Sequence, residues 1–251
     1  MIKRTSVLYG FTALITSLCF FSCESDTSRD IRPYYFPIDQ LYEGVAYEYQ
    51  PVGNNQLTPE YWYYRSFDQD SLLVLTGQYY NYKFDVKQFY SERIVENGTL
   101  LRDYFLYEYN QRDSLLTVPV SIEVANGFPF QVSQIGSIFL SRLQWTDPMQ
   151  ADMKTTHIRN RHFLGDTTYT IDGQSYECVA FATKELIETE QEGFQELQYN
   201  GVEFYARNVG LIYYRKEISP DLILEYQLAD RYPMEQLVQL SERLKEERLT
   251  E

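Results

Sequence analysis

Apolar and polar residues alternate with period two along much of the chain. Val45, Tyr47 and Tyr49 alternate with Ala46, Glu48 and Gln50. Val118, Val120, Ile122 and Val124 alternate with Pro119, Ser121, Glu123 and Ala125, and Leu222, Leu224, Tyr226 and Leu228 with Ile223, Glu225 and Gln227. Successive side chains of a strand point to opposite faces, so this pattern predicts half-buried strands. Residues 99–109 and 175–187 carry apolar groups at both parities and read as central strands covered on two sides. Asn97-Gly98, Asn126-Gly127, Asp172-Gly173 and Asn200-Gly201 are pairs that tolerate positive φ at both positions and favour two-residue hairpins. Asp172-Gly173 is expected to join strands near 167–171 and 175–187. Asn200-Gly201 is expected to join 194–199 to 202–207, and Asn208-Val209-Gly210 to lead into 211–218. One antiparallel meander is therefore expected over 155–228 and a second over 44–145. No Gly-, Ser- or Pro-rich break separates them. The expectation is one mainly β domain over 34–251, folded as a curved open sheet, a sandwich or a half-barrel.

The period changes at the C-terminus. From Pro233 onward, Leu237, Leu240 and Leu244 fall on one helical stripe among Glu, Gln and Arg. Pro233 suits a first helical turn and Glu235 the positive end of the helix dipole. An amphipathic helix over about 233–248, packed on the sheet, is expected.

The N-terminus reads as an address. Lys3 and Arg4 precede an apolar run from Val7 to Phe21, which ends at Ser22-Cys23 and turns polar at Glu24. About 15 residues is short for a membrane-spanning helix, which needs roughly 20. A basic start, a short apolar middle and a small residue before a break match a secretory signal. With Ser22 directly before Cys23, the segment resembles a bacterial lipoprotein signal. That resemblance implies that residues 1–22 are removed and that Cys23 becomes a lipidated first residue. Two or three acyl chains (palmitate among them) would then fasten it to the outer membrane, on the periplasmic or the surface face. One chain alone would bind only marginally. Residues 24–33, polar and ending in Pro33, read as a flexible tether that reaches at most about 35 Å when extended.

Composition narrows the partners. The net charge is −14, and −16 without Lys3 and Arg4, which argues against nucleic acid and against electrostatic docking to anionic lipid. Aromatics make up 16% of the chain, with 24 Tyr and 15 Phe, too many for a disordered protein. Three cysteines and two histidines exclude zinc-cluster and disulfide-framework classes. Once Cys23 is lipidated and Cys19 removed, Cys178 has no partner. Its apolar setting between Tyr176 and Phe181 reads as a buried, inert thiol.

No catalytic constellation stands out. His157 and His162 lie five apart, which puts them on opposite faces of a strand, so one metal cannot take both. Arg159 and Arg161 share a side, and the segment reads as a solvated strand. Gly173-Gln174-Ser175-Tyr176-Glu177 lacks the second glycine of a serine-hydrolase elbow and reads as a hairpin. Phosphate loops and dinucleotide fingerprints are absent. Asp68 and Asp70 could share a calcium ion, but the EF-hand spacing is missing and Asp is common in turns. No cofactor and no metal is expected. Asp70-Ser71-Leu72, Asp113-Ser114-Leu115 and Asp166-Thr167-Thr168 resemble the three-residue O-glycosylation signal of some Gram-negative envelope proteins. That implies Ser71, Ser114 and Thr167 as acceptors in exposed turns. Tyr61-Trp62-Tyr63-Tyr64, Tyr79-Tyr80 and Tyr213-Tyr214 either fill sheet faces or line a greasy or sugar-stacking groove. Adjacent aromatics point opposite ways, so at most half of each cluster lines one cavity.

The stretch Tyr205-Ala206-Arg207-Asn208-Val209-Gly210-Leu211-Ile212-Tyr213-Tyr214 resembles the closing hairpin of many uncharacterised bacterial envelope lipoproteins. Some of these have half-barrel sheets similar to lipoprotein-carrier folds. The resemblance implies a fold more than a function. Three functions fit these expectations. The first is a non-enzymatic binding or assembly component of the envelope, with a protein partner. The second is a carrier of lipid or another hydrophobic ligand in a concave aromatic-lined sheet. The third is a carbohydrate-active enzyme or glycan binder.

Overall fold

The computed structural model describes residues 28–53, 56–110, 112–133 and 137–250. The expectations for residues 1–27, the signal segment and Cys23 among them, lie outside the described residues. The strands are β1 (Arg29–Asp30), β2 (Val45–Pro51), β3 (Glu60–Gln69), β4 (Leu72–Tyr80), β5 (Val86–Val95), β6 (Gly98–Tyr109), β7 (Leu115–Pro119) and β8 (Ser121–Pro129). They continue as β9 (Gln131–Val132), β10 (Ile138–Thr146), β11 (Lys154–Ile171), β12 (Gln174–Glu190), β13 (Phe194–Ala206), β14 (Gly210–Ser219) and β15 (Leu222–Tyr232), followed by helix α1 (Met234–Thr250).

The expected antiparallel meander with a C-terminal helix is present, and its curvature runs to closure. The strand order is β5-β4-β3-β2-β15-β14-β13-β12-β11-β10-β8-β6, and β6 pairs again with β5, so twelve strands close into a barrel. Every pairing is antiparallel. β7 lies outside the ring along the far half of β6 (Phe105↔Pro119 to Tyr109↔Leu115). Register shifts recur around the wall, as at Phe163/Gly165, Arg142/Leu143 and Leu228/Asp230, and such bulges bend and twist strands toward closure.

Two of the four predicted hairpins form. Asp172-Gly173 joins β11 to β12 with φ of 48° and 83°, whereas the β5–β6 hairpin is offset by one residue from Asn97-Gly98: its loop is Glu96-Asn97, and Gly98, already in β6, pairs with Val95. The other two pairs lie inside strands. Asn126-Gly127 belongs to β8 and Asn200-Gly201 to β13. Here glycine serves close approach rather than a turn. A Cβ on Gly127 would come within 2.8 Å of Glu92 Oε1 and still closer to Thr99 Oγ1. A Cβ on Gly201 would meet the Arg215 carbonyl at 2.5 Å and Thr183 Oγ1 at 2.6 Å. The turn between β12 and β13 is Gln191–Gly193, closed by the Gln191 amide donating to the Gly193 carbonyl at 3.0 Å.

The barrel is stoppered at one end by the segment just after the start of the described chain. Arg29 and Asp30 pair with Val132 and Gln131, so the polar stretch expected to be a tether through Pro33 is docked from Arg29 onward. Ile31, Tyr34, Tyr35, Phe36 and Leu41 are buried. Tyr35 packs edge-on to Phe36 and Phe130 and against Phe128, and Phe36 packs on Tyr47 and Tyr64. Backbone bonds tie the stopper to the wall: Ile31 N to Phe130 O (2.8 Å), Asn208 N to Pro33 O (2.8 Å) and Ser66 N to Leu41 O (2.9 Å). The β3–β4, β5–β6, β11–β12 and β13–β14 turns lie at this end. The intervening turns form the opposite rim.

Helix α1 returns along the outside of the wall. Leu237, 2% exposed, sits against Ala46, Tyr61 and Tyr232, with Met234 and Leu240 beside them. The helix starts one residue after Pro233, whose carbonyl accepts from Gln236 N at 3.0 Å.

Because Ile31 is fully buried beneath the stopper, Ile31→Ala is expected to destabilise the fold by about 3 kcal/mol, the usual range for a buried aliphatic truncation. Urea denaturation measures this, and a change under ~0.5 kcal/mol would mean that the stopper is not part of the folded body.

Candidate functional site

Twelve strands enclose a wider lumen than their own side chains can fill. The stopper fills one half. The other half holds a cavity of about 330 Å³ with two unlike walls. On β3 to β6 the lining is aromatic: Trp62, Tyr64, Tyr79, Tyr90 and Tyr104. On β11 to β14 it is ionic: His157, Arg159, Arg161, Glu185, Glu203 and Lys216.

The ionic wall follows from register. Arg159 is opposite Glu185, Glu185 opposite Tyr199, Phe181 opposite Glu203, and Gly201 opposite Lys216. All face the same way. Gly201 has no side chain to block Lys216, which reaches across β13 to Glu185 at 3.3 Å. His157 Nε2 lies 2.8 Å from Glu185 Oε2, and the Tyr199 hydroxyl donates to the same oxygen at 2.9 Å. Arg159 forms ion pairs with both Glu203 and Glu185. Arg161 donates from Nε to Glu203 at 3.2 Å and from Nη1 to the Gly127 carbonyl at 2.9 Å. Tyr205 donates to Glu203 at 3.1 Å.

Along β11 the side chains of His157 and Arg159 are 22% and 25% exposed, and that of Arg161, nearer the stopper, 13%. Lys216 is 29% exposed, and Glu185, packed among these cations, 2%. The cavity is therefore most open toward the rim opposite the stopper, at the His157 and Lys216 end. Burial alone would push the Glu185 carboxyl up, but Lys216, the His157 bond and Arg159 together hold it well below the usual carboxylate range. Across the lumen Glu60 behaves oppositely. Burial raises its carboxyl, only partly offset by hydrogen bonds from Tyr214 and Tyr79 and by the Lys216 charge. Deeper, Glu92 accepts from Tyr35 of the stopper at 2.5 Å.

Several sequence expectations are settled by these positions. His157 and His162 do face opposite ways, the first inward and the second exposed. The segment 156–162 is not a solvated strand, however: His157, Arg159 and Arg161 point into the lumen. The aromatic clusters split as parity requires, with Trp62, Tyr64, Tyr79 and Tyr214 lining the cavity and their neighbours facing away. Cys178 is 1% exposed, and burial pushes its thiol up to about 11, as an inert thiol requires. Asp68 accepts from Tyr42, and Asp70 (φ 51°) and Ser71 (φ 65°) form the β3–β4 turn. Among the described residues no three His, Cys, Asp or Glu side chains converge to hold a metal. Ser71 and Ser114 are exposed at turns, whereas Thr167 lies within β11 rather than in a turn. Sequence reading missed the ionic wall. The available signal was cations at 157, 159 and 161 facing acids at 185 and 203 on neighbouring meander strands.

No family model matches the sequence, and no curated protein matches it. Two solved structures are similar in fold. One is described as a "putative lipoprotein" from Parabacteroides distasonis, with 14% identity and a TM-score of 0.50, covering 78% of this chain and 95% of that one. The other is a "putative exported protein with YmcC-like fold" from Bacteroides fragilis, with 12% identity and a TM-score of 0.47, covering 77% and 96%. At such identity, the likeness to the first shows a shared fold.

Glu185→Gln would leave Lys216 and Arg159 without their shared counter-ion, an expected cost of about 3–5 kcal/mol at pH 7. A carboxyl held low in the native state contributes above its unfolded pKa, and that contribution is lost as pH falls through the depressed native value. The gap between wild type and variant should therefore narrow as urea titrations move from pH 7 toward about pH 3. A gap independent of pH would contradict this electrostatic reading.

Proposed function

We propose that this protein is a lipid-anchored component of the bacterial cell envelope that holds one small polar ligand inside its barrel and performs no chemistry on it. The supporting observation is a lumen stoppered at one end and open at the other, with an aromatic wall facing an ionic one. Ligand sites generally combine apolar surface with a few fixed polar groups in this way.

Two rival readings fit less well. An acyl chain in this lumen would have to lie against Glu185, Glu203, Arg159 and Lys216, and burying charges beside hydrocarbon is costly. Glycosidase chemistry needs two free carboxyls flanking the scissile bond. Glu185 and Glu203 are paired with cations, Glu92 accepts from Tyr35 and Glu60 from Tyr214, so among the described residues no two free carboxyls face each other here.

The anchor gives the barrel an orientation. From Cys23 to Arg29 an extended chain spans at most about 20 Å, so the stoppered end would face the membrane and the mouth would point away from it. The outer membrane, on either face, is the proposed location, and the exposed rim is where an envelope protein partner would meet the ligand. Ser71 and Ser114, on exposed turns, are the proposed O-glycan acceptors, with Thr167 a poorer one inside its strand.

Lipidation is checked by metabolic labelling with radioactive palmitate. The label should enter the wild type and be lost in Cys23→Ala, with the protein released from the membrane fraction. Labelling that survives this change would remove the anchor from the account. Ligand access is checked on the Trp145→Phe variant, in which Trp62 is the remaining tryptophan. Acrylamide should quench it readily in the folded state. Quenching that appears only on unfolding would describe a sealed structural interior.

A further inference from the structure

The cations of the ionic wall are already spoken for. Arg159 and Arg161 pair with Glu203, Arg159 also with Glu185, and Lys216 with Glu185. A phosphate or carboxylate entering the lumen would find no free positive charge, and four carboxyl groups around it. The groups left over are of another kind. Among the described residues, no hydrogen bond is made by the hydroxyls of Tyr90 and Tyr104, the Trp62 indole N–H or the Gln88 side chain. All four residues line the cavity and are only half-buried although they lie inside the barrel, so the cavity reaches them.

These are neutral donors and acceptors. Their natural partner is a hydroxyl group, which donates and accepts at once. A carboxylate or phosphate would face four carboxyl groups beside cations that are already paired, and an ammonium cannot accept from Trp62, Tyr90 or Tyr104. The shape of the lining adds a second condition. Trp62 and Tyr79 are stacked 5.1 Å apart at 29°, and Tyr90 and Tyr104 lie 6.5 Å apart at 23°. Trp62 is also parallel to Tyr64 at 5.9 Å and 6°, so these rings pack on one another and carry their polar atoms at their edges. A sugar brings hydroxyls around its whole edge to meet such atoms.

We infer that the lumen binds a neutral sugar, a hexose or N-acetylhexosamine residue held beside the aromatic wall with its hydroxyls toward Trp62, Gln88, Tyr90 and Tyr104. This deepens the proposed ligand-binding role and rests on it.

The test uses the mature protein with Trp145→Phe and follows Trp62 emission. The probes are D-glucose, D-galactose, N-acetyl-D-glucosamine and maltose, beside D-glucuronate, inorganic phosphate and palmitate. At least one neutral sugar should shift the emission saturably at millimolar concentration. Tyr104→Phe and Gln88→Leu, which keep the side chains close to their original size, should each weaken that binding roughly five- to tenfold, the loss of one hydrogen bond. Saturation by glucuronate, phosphate or palmitate with none by the neutral sugars would overturn the sugar assignment and leave a ligand-binding lumen. Failure of every probe, together with resistance of Trp62 to acrylamide, would overturn both. Failure of every probe with Trp62 still open to acrylamide would overturn the sugar assignment alone.

Discussion

Closure of the β5–β6 seam sets the terms for the rest of the molecule. A sheet joined to itself has no edges to protect, but a ring of twelve strands is too wide for its inward side chains to meet at the axis. The chain answers this in two ways. An aromatic segment from Ile31 to Leu41 fills one half. In the other half, long charged side chains reach along and across the wall to one another. Each device needs the other, because the Glu92–Tyr35 bond links the wall to the stopper and the missing side chain of Gly127 leaves room for Glu92 and Thr99.

The ionic wall is costly in isolation. Removing charges from water is repaid only where geometry and hydrogen bonds are good. Glu185 meets that condition through Lys216, His157, Arg159 and Tyr199, and Glu203 through two arginines and Tyr205. The partial exposure of Lys216 and His157 keeps the mouth wet. What remains unmatched is a small set of neutral hydrogen-bonding groups beside stacked rings, and the functional reading grows from that remainder.

Much of the wall was legible from the sequence. Period-two alternation located β2 and β15, the alternation over 118–125 ran across the break at Val120 between β7 and β8, and the Asp172-Gly173 and Asn97-Gly98 pairs marked their hairpins. The stripe at Leu237 and Leu240 located α1 and its buried face. Asn126-Gly127 and Asn200-Gly201 misled because glycine serves both turns and close approach, and only the tertiary neighbour decides which. The stopper was hidden because Arg29–Pro33 is polar, and its burial depends on a distant β9. The site was hidden for a related reason. Arg159 and Arg161 look solvated until the register brings Glu185 and Glu203 beside them, which inverts the usual rule that charged faces point to water.

The central claim is a closed wall around a lumen that is stoppered at one end and solvated at the other. An atomic-resolution crystal structure of the mature protein tests it most directly. The account predicts β5 hydrogen-bonded to β6, Lys216 on Glu185, and ordered water between Gln88, Tyr104 and the ionic wall. A β5–β6 seam without hydrogen bonds, or a lumen packed dry by apolar side chains, would contradict it.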